Sequence, residues 1–278
     1  MIFQELLNIS AYPDLALKPN RSFAEKLSAL LKTYGLVFLF LLFAAPLLLL
    51  PEYIATHVFH YSSIRDQNNV TFQHLIKKLG YLTATIYICL VGPVLEETIF
   101  RLPLSFKKNH VALGIVVAIF LFSSALPGAK SLNASMGLGY ALLARAVILG
   151  LIYLLIVKLL PGEFSLSPSA KKTWIIVSIC LFGLMHVSNY SPLHWAIIWL
   201  YPLFVLPQLA MGWALSYIRF KNGFMWGIAL HCLINSVSMG LGYSQDKPGK
   251  IQHKEKPVLK KVDSVIKTPI SPVSPPRS

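Results

Sequence analysis

The chain has 278 residues, of which 55% are hydrophobic and only 13% are charged, and its mean hydropathy is +0.61. Soluble domains carry about 25% charged residues, so this composition excludes an ordinary water-soluble domain and favours a membrane protein. The net charge of +14 does not indicate nucleic-acid binding. The lysines lie in the C-terminal segment or flank apolar runs, where anionic lipid headgroups attract them.

Residues 1–33 open the chain without a continuous apolar stretch. They mix Glu5, Asp14, Lys18 and Arg21 with apolar residues, which is unlike the pattern of a cleaved signal peptide. We predict that this segment is amphipathic or irregular and lies at the membrane interface.

Residues 34–243 contain apolar runs long enough to cross a bilayer. A helix rises about 1.5 Å per residue, so a hydrocarbon core of roughly 30 Å takes about 20 residues. The runs are apolar all round, unlike the alternating strands of a membrane barrel. The sequence therefore predicts an all-α, polytopic transmembrane bundle of seven to eight spans within the membrane lipid bilayer. The runs are Tyr34–Leu50, Gly80–Phe100, Val111–Leu126, Gly137–Leu160, Trp174–Tyr190, Leu193–Tyr217 and Gly223–Tyr243.

Residues 244–278 are rich in lysine and proline and nearly devoid of aromatic residues. Such a segment cannot bury enough apolar surface to offset its chain entropy, so we predict a disordered basic tail. The Lys and Arg residues of the short loops favour a cytoplasmic N-terminus. Seven spans would then place the basic tail outside, so the side of the tail stays open.

Three of the predicted spans carry polar side chains, which are costly in a membrane and mark functional sites by default. Helix geometry separates the two adjacent glutamates. At about 100° per residue, Glu97 and Arg101 lie one turn apart and can pair. Glu96 is rotated roughly 140° away from Arg101, so it is free to face another group. The polar set is Glu96, Glu97, Arg101, His186, His231 and Asn235.

The same reasoning assigns chemistry to the other spans. His231 and Asn235 are four residues apart and project from one helix face, where both side chains can donate hydrogen bonds to a developing oxyanion. Glu96 and His186 can act together on a water, with the carboxylate as general base. Each group also has a structural reading, as a boundary ion pair or a polar contact between helices. Their occurrence together favours a protease site.

The three cysteines lie far apart in the predicted spans, at Cys89, Cys180 and Cys232. They show neither a disulfide framework nor a metal-ligand spacing. We therefore predict no cofactor and no metal site.

Three short motifs resemble the CPBP intramembrane proteases, a group that includes the CAAX prenyl proteases and the bacterial Abi proteins. The segment Glu96–Arg101, EETIFR, resembles the EExxxR motif of that family. The segment Phe182–His186 matches the second motif, FxxxH, and His231–Asn235 matches the third, HxxxN. The three occur in order, each within a predicted span.

The resemblance implies a metal-independent, glutamate-type endopeptidase in a multi-pass protein of the bacterial inner membrane. Its substrate would be a membrane-associated or prenylated, CAAX-like protein or peptide. The implied catalytic residues are Glu96 and His186, which activate the water, and His231 and Asn235, which hold the oxyanion. The implied supporting residues are Glu97, Arg101 and Phe182.

Two features depart from the family pattern. Glu96 and His186 are 90 residues apart, a separation that holds two extra apolar runs, and Pro103 follows Arg101 closely. Three alternatives stay open. They are a zinc enzyme that uses Glu and His ligands, a pseudoprotease scaffold, and a transporter with Glu96 as a proton relay.

Overall fold

The computed structural model describes residues 2–16, 21–123, 138–162 and 164–245. The chain divides into one compact unit that ends at Met239 and a second unit from Gly240, of which only the end of the last helix is described. Every regular element of three or more residues in the described part is helical. The all-α prediction is therefore confirmed, and the predicted disorder of the tail beyond Gln245 falls outside the described residues.

Two short helices, α1 (Ile2–Leu7) and α2 (Tyr12–Ala16), precede the first long one. Helix α3 (Phe23–Ala44) begins at a capping box, in which the Ser22 hydroxyl accepts from the Glu25 amide and the Glu25 carboxylate accepts from the Ser22 amide. This box satisfies amide groups that the first turn leaves without helical partners. The helix therefore starts well before the predicted Tyr34.

Helical structure continues without a loop from α3 to Val58, through α4 (Leu49–Tyr53) and a π-helical turn (Ile54–Val58). The remaining helices follow in chain order. They are α5 (Ile64–Leu79), α6 (Tyr81–Ile86), α7 (Gly92–Phe100), α8 (Lys108–Ser123), α9 (Leu138–Leu159), α10 (Pro168–Met185), α11 (Tyr201–Phe204), α12 (Leu206–Asn222) and α13 (Phe224–Gln245). A π-helical turn, Tyr87–Val91, joins α6 to α7, and a 3-10 turn, His186–Tyr190, follows α10.

Among the described residues, five helices are long and apolar enough to cross a membrane, or six if one bent pair counts as a single span. The predicted count of seven to eight is not confirmed. Helix α8 has only 16 described residues, about 24 Å of rise. The predicted span Leu193–Tyr217 is broken and bends by 42°. Pro202 and Pro207 each stand in the first turn of a new helix there, because proline cannot continue the preceding hydrogen-bond ladder.

Large apolar side chains cover the outside of the spans, as expected where the solvent is lipid. Phe43, Leu151 and Leu154 are among the most exposed of them. The interior holds a cluster centred on α10 and α12 that also includes Tyr12 and Leu15 of the N-terminal segment. Part of the segment predicted to lie at the interface is therefore packed into the core.

Candidate active site

The buried centre of the site is an ion pair between Glu97, in the last turn of α7, and Arg101, the residue that caps the helix. Both side chains have zero exposure, and Arg101 Nη1 lies 3.3 Å from Glu97 Oε1. Arg101 Nη2 donates to the Gly212 carbonyl at 3.2 Å, and the guanidinium lies 3.9 Å from the centroid of the Phe182 ring. The predicted pairing of Glu97 with Arg101 is thus present in the structure.

His231 of α13 lies between the two adjacent glutamates. Its Nδ1 is 3.1 Å from Glu97 Oε1, and because a carboxylate oxygen accepts, this nitrogen donates. Its Nε2 is 3.7 Å from Glu96 Oε2, which is longer than a hydrogen bond. The imidazole is only 1% exposed, so it contacts the two carboxylates rather than open solvent.

Glu96 faces a cavity, unlike its neighbour Glu97. The Glu96 side chain is 23% exposed, and it lines a cavity of about 920 Å³ together with His186 and Asn235. These three residues belong to different helical segments, so the fold brings one residue of each motif to the same space. The separation of the two glutamates expected from helix geometry is therefore seen.

His186 is positioned by the way α10 ends. The amide of His186 donates to the Gly183 and Leu184 carbonyls in a tightened last turn, so the Phe182 carbonyl loses its usual partner four residues on. The His186 Nδ1 donates to that carbonyl at 2.8 Å. This bond fixes the tautomer of a neutral ring and leaves Nε2 to accept a proton.

Asn235 is positioned by an irregularity in the helix opposite it. In the π-helical turn before α7, the Gly92 amide donates to the carbonyl five residues earlier, that of Tyr87. In the same pattern, the amide of residue 93 would donate to the Ile88 carbonyl. That residue is Pro93, which has no N–H. Asn235 Nδ2 donates to the Ile88 carbonyl instead, at 2.9 Å, so one of its two amide hydrogens is engaged and the other is left for the cavity.

The Phe182 ring packs between residues of the three motifs. Its ring meets that of His186 at a centroid distance of 4.9 Å and that of His231 at 5.7 Å, edge-on in both cases. With the Arg101 contact on the same ring, this buried phenylalanine touches a residue of every motif. A smaller side chain would leave a void among them.

The sequence reasoning missed two residues that support this arrangement. Arg219 Nε donates at 2.7 Å to the Arg101 carbonyl, which also accepts from the Leu104 amide at 3.2 Å. Gly212 lies where a Cβ would come within 2.9 Å of Phe182 Cδ1 and 3.1 Å of Arg101 Nη2. Arg219 could have been noticed as a cation in an apolar helix, whereas a glycine gives no comparable signal.

The wall of the cavity also includes part of α5, a helix that the sequence analysis left between spans. Phe72 and Leu75 provide apolar surface there, and His74, Lys77 and Lys78 provide basic groups. The cavity thus combines one carboxylate with apolar and cationic surface. Among the described residues, no group of three or more His, Cys, Asp or Glu side chains is arranged to hold a metal ion.

Comparison with protein-family models gives a match to part of the chain. The family model of the Rce1-like type II CAAX prenyl endopeptidases matches residues 159–237. This stretch contains the second and third motifs, with His186, His231 and Asn235, and ends before the tail. No curated protein and no solved structure matches the chain.

The match includes two of the three motifs on which the resemblance to the CPBP proteases was based. It covers these two independently of the first, which lies outside the matched stretch at residues 96–101. The helices that carry all three are apolar and long enough to lie in a membrane. The match of residues 159–237 therefore supports the resemblance of this chain to the CPBP and CAAX membrane proteases.

Proposed function

We propose that this chain is a glutamate-type intramembrane endopeptidase that needs no metal ion and cleaves peptide bonds in the cavity of about 920 Å³. One observation carries the proposal. Glu96, His186 and Asn235 come from three separate spans and line the same cavity. A carboxylate, an imidazole and an amide at one place can activate a water and stabilise an oxyanion.

In the proposed reaction a water in the cavity attacks the scissile carbonyl carbon. Glu96 accepts a proton from this water as the new C–O bond forms and the carbonyl electrons move onto the oxygen. The tetrahedral intermediate then collapses, the C–N bond breaks, and the proton passes from Glu96 to the leaving nitrogen. His186 accepts a hydrogen bond from the water at Nε2 and thereby orients it.

The geometry favours a division of roles between the two residues of the third motif. His231 contacts both carboxylates at 3.1 and 3.7 Å, so we assign it to hold Glu96 in place rather than to contact substrate. Asn235 lines the cavity, and its second amide hydrogen is the donor that we assign to the oxyanion. Glu97 and Arg101 are positioning residues in this scheme.

The proposed substrate is a segment of a membrane-associated protein or peptide, including prenylated, CAAX-like chains. The cavity is large enough for a side chain or lipid group together with backbone, since small-molecule sites span roughly 300–1,000 Å³. Phe72, Leu75 and Phe122 offer apolar contact, and Lys77 and Lys78 offer positive charge to a carboxylate.

The test uses the full chain, purified in neutral detergent, and quenched fluorescent peptides with and without a prenyl group. We expect Glu96→Gln and His186→Ala each to reduce kcat at least about 10²-fold. The matched control is Asp14→Asn, which also turns a carboxylate into an amide but at an exposed site outside the cavity. Loss of activity with a chelator, restored by zinc, would overturn the metal-independent mechanism.

A second measurement covers substrates absent from the peptide set. New protein termini in membranes of cells that express the wild-type chain are compared with those in cells that express Glu96→Gln. Termini that depend on Glu96 identify substrates. A cellular effect that persists fully in Glu96→Gln, without any change in termini, would contradict the protease and favour a scaffold.

A further inference from the structure

A second cavity, separate from the candidate active site, lies where several helices begin or end. Its volume is about 300 Å³, at the lower end of the range for small-molecule sites. Its wall contains Ala16 from the end of α2, Asn222 from the end of α12 and Phe224 from the start of α13. Because two of the apolar spans begin at Phe23 and Phe224, the cavity lies at the level of one membrane interface.

Four cationic residues line this cavity, and no carboxylate residue does so among the described residues. The four are Arg21, Lys26, Arg219 and Lys221, and all are partly buried. Lys221 forms an ion pair with Glu5, which leaves an excess of positive charge at the cavity. This excess of positive charge attracts anions, so the wall is suited to hold an anionic group.

The Arg219 guanidinium is held in place at the cavity by contacts with Arg101 and Phe220. Its Nε donates to the Arg101 carbonyl, and its Cζ lies 4.6 Å from the centroid of the Phe220 ring. These contacts orient the guanidinium, a planar cation whose geometry suits bidentate contact with a phosphate.

The backbone adds hydrogen-bond donors to the cavity, and the Asn222 side chain adds an acceptor. Gly223 has a φ of +106°, which lets α12 end and α13 begin at once, so that the first amides of a 22-residue helix lie at the cavity wall. Such amides favour phosphate groups. Asn222 donates from Nδ2 to the Lys26 carbonyl, while its buried Oδ1 has no partner among the described residues. That oxygen can accept from a ligand hydroxyl.

We propose that this cavity binds a glycerophosphate-type anion, with the phosphate among the four cations and a hydroxyl donating to Asn222 Oδ1. Its position at the membrane interface favours the headgroup of an anionic phospholipid over a soluble compound. The loop charges predict that this side is cytoplasmic, and basic pockets between spans on that side bind anionic headgroups.

The test measures binding of phosphatidylglycerol to the full chain in neutral detergent by native mass spectrometry, with phosphatidylcholine as the zwitterionic comparison. The variant is Arg21→Gln with Lys26→Gln, which spares Arg219 and its contact with Arg101. The control is Lys171→Gln with Lys172→Gln, which removes two charges elsewhere on the same predicted side. We expect the affinity for phosphatidylglycerol to fall about tenfold or more in the first variant and to change less than about twofold in the control.

Soluble glycerol 3-phosphate at constant ionic strength separates the two sources of the anion. If it displaces the lipid only weakly, the ligand is the headgroup. If it binds as tightly as the lipid, the ligand is a soluble phosphate ester. The proposal would be overturned if both double variants lost the same affinity for phosphatidylglycerol. It would also be overturned if the wild-type chain bound phosphatidylcholine as tightly as phosphatidylglycerol. Circular dichroism checks the fold of each variant, and single Arg21→Gln replaces the double variant if the latter unfolds.

Discussion

The Nδ1 of His231 lies 3.1 Å from Oε1 of Glu97, so the second glutamate of the first motif is where the first and third motifs meet. Glu97 also pairs with Arg101 one turn further along α7. One carboxylate oxygen thus serves both the internal ion pair of α7 and the contact between α7 and α13. The two adjacent glutamates consequently differ in task, since Glu97 joins helices and Glu96 lines the cavity.

This difference predicts losses of stability of unequal size at the two adjacent positions. Glu97→Ala leaves the Arg101 guanidinium buried without its counter-charge, which should cost about 3–5 kcal/mol. Glu96→Gln changes a partly exposed side chain and should cost less than about 1 kcal/mol. Both variants should lose peptidase activity. Thermal unfolding in detergent measures the difference, and equal losses of Tm in the two variants would contradict the assignment.

Gly212 should tolerate no side chain. A Cβ there would lie 2.9 Å from Phe182 Cδ1 and 3.1 Å from Arg101 Nη2, and such overpacking typically costs 1–3 kcal/mol. Gly212→Ala should therefore lower both Tm and kcat. The control is Gly150→Ala in α9, where a Cβ meets nothing within 4 Å. That variant should keep full stability and activity, and comparable losses in both would show that the contact with Phe182 and Arg101 is not the cause.

The bond from Asn235 to the Ile88 carbonyl predicts a specific rescue. Asn235→Ala leaves that carbonyl without its donor, at a cost of about 1 kcal/mol or more. Pro93→Ala restores a backbone N–H in the register that reaches Ile88, so Asn235→Ala should cost less in that background. A double-mutant cycle on thermal unfolding measures this coupling. Activity should stay lost in the double variant, because the proposed oxyanion donor is still missing.

The burial of the Tyr12 phenol predicts that the protein loses stability at alkaline pH. It lies outside the spans, has zero exposure and accepts from Trp213 Nε1 at 2.8 Å. Burial raises the pKa of its phenol above the usual value, which is about 10. Above that pH the unfolded chain releases this proton while the folded chain keeps it, so the free energy of unfolding falls as pH rises.

Unfolding followed from pH 8 to 11 checks this effect. Tyr12→Phe should weaken the alkaline loss, while Tyr140→Phe, at an exposed tyrosine of α9, should leave it as in the wild type. If the free energy of unfolding fell with pH at the same slope in the wild type and in both variants, groups other than Tyr12 would cause the alkaline sensitivity.

Much of the candidate site could be predicted, because helix periodicity is local. The angle between neighbouring residues on a helix is fixed by its geometry. The pairing of Glu97 with Arg101 and the separate direction of Glu96 therefore followed from the segment Glu96–Arg101 alone. The contact of His231 with both glutamates could not be predicted in this way. It joins residues more than 130 positions apart, and only the packing of α7 against α13 decides which nitrogen meets which oxygen.

The number of spans shows the same limit. Apolar length and composition correctly indicated a helical membrane protein, but the run Leu193–Tyr217 is broken in the structure. Pro202 and Pro207 were visible in the sequence, yet a proline in an apolar run can kink a span, start a new helix or be accommodated. Neighbouring helices decide among these outcomes, so the proline alone does not.

By itself, the sequence determined that the chain lies in a membrane as a helical bundle and that its costly polar side chains fall in three ordered motifs. Both conclusions depend on composition and on local spacing, which act within one helix. Only the tertiary structure decided that Glu96 faces a cavity with His186, that Asn235 replaces the missing amide of Pro93, and that Gly212 allows Arg101 to lie against Phe182. These relations join distant segments, and their energies arise only when the helices pack together.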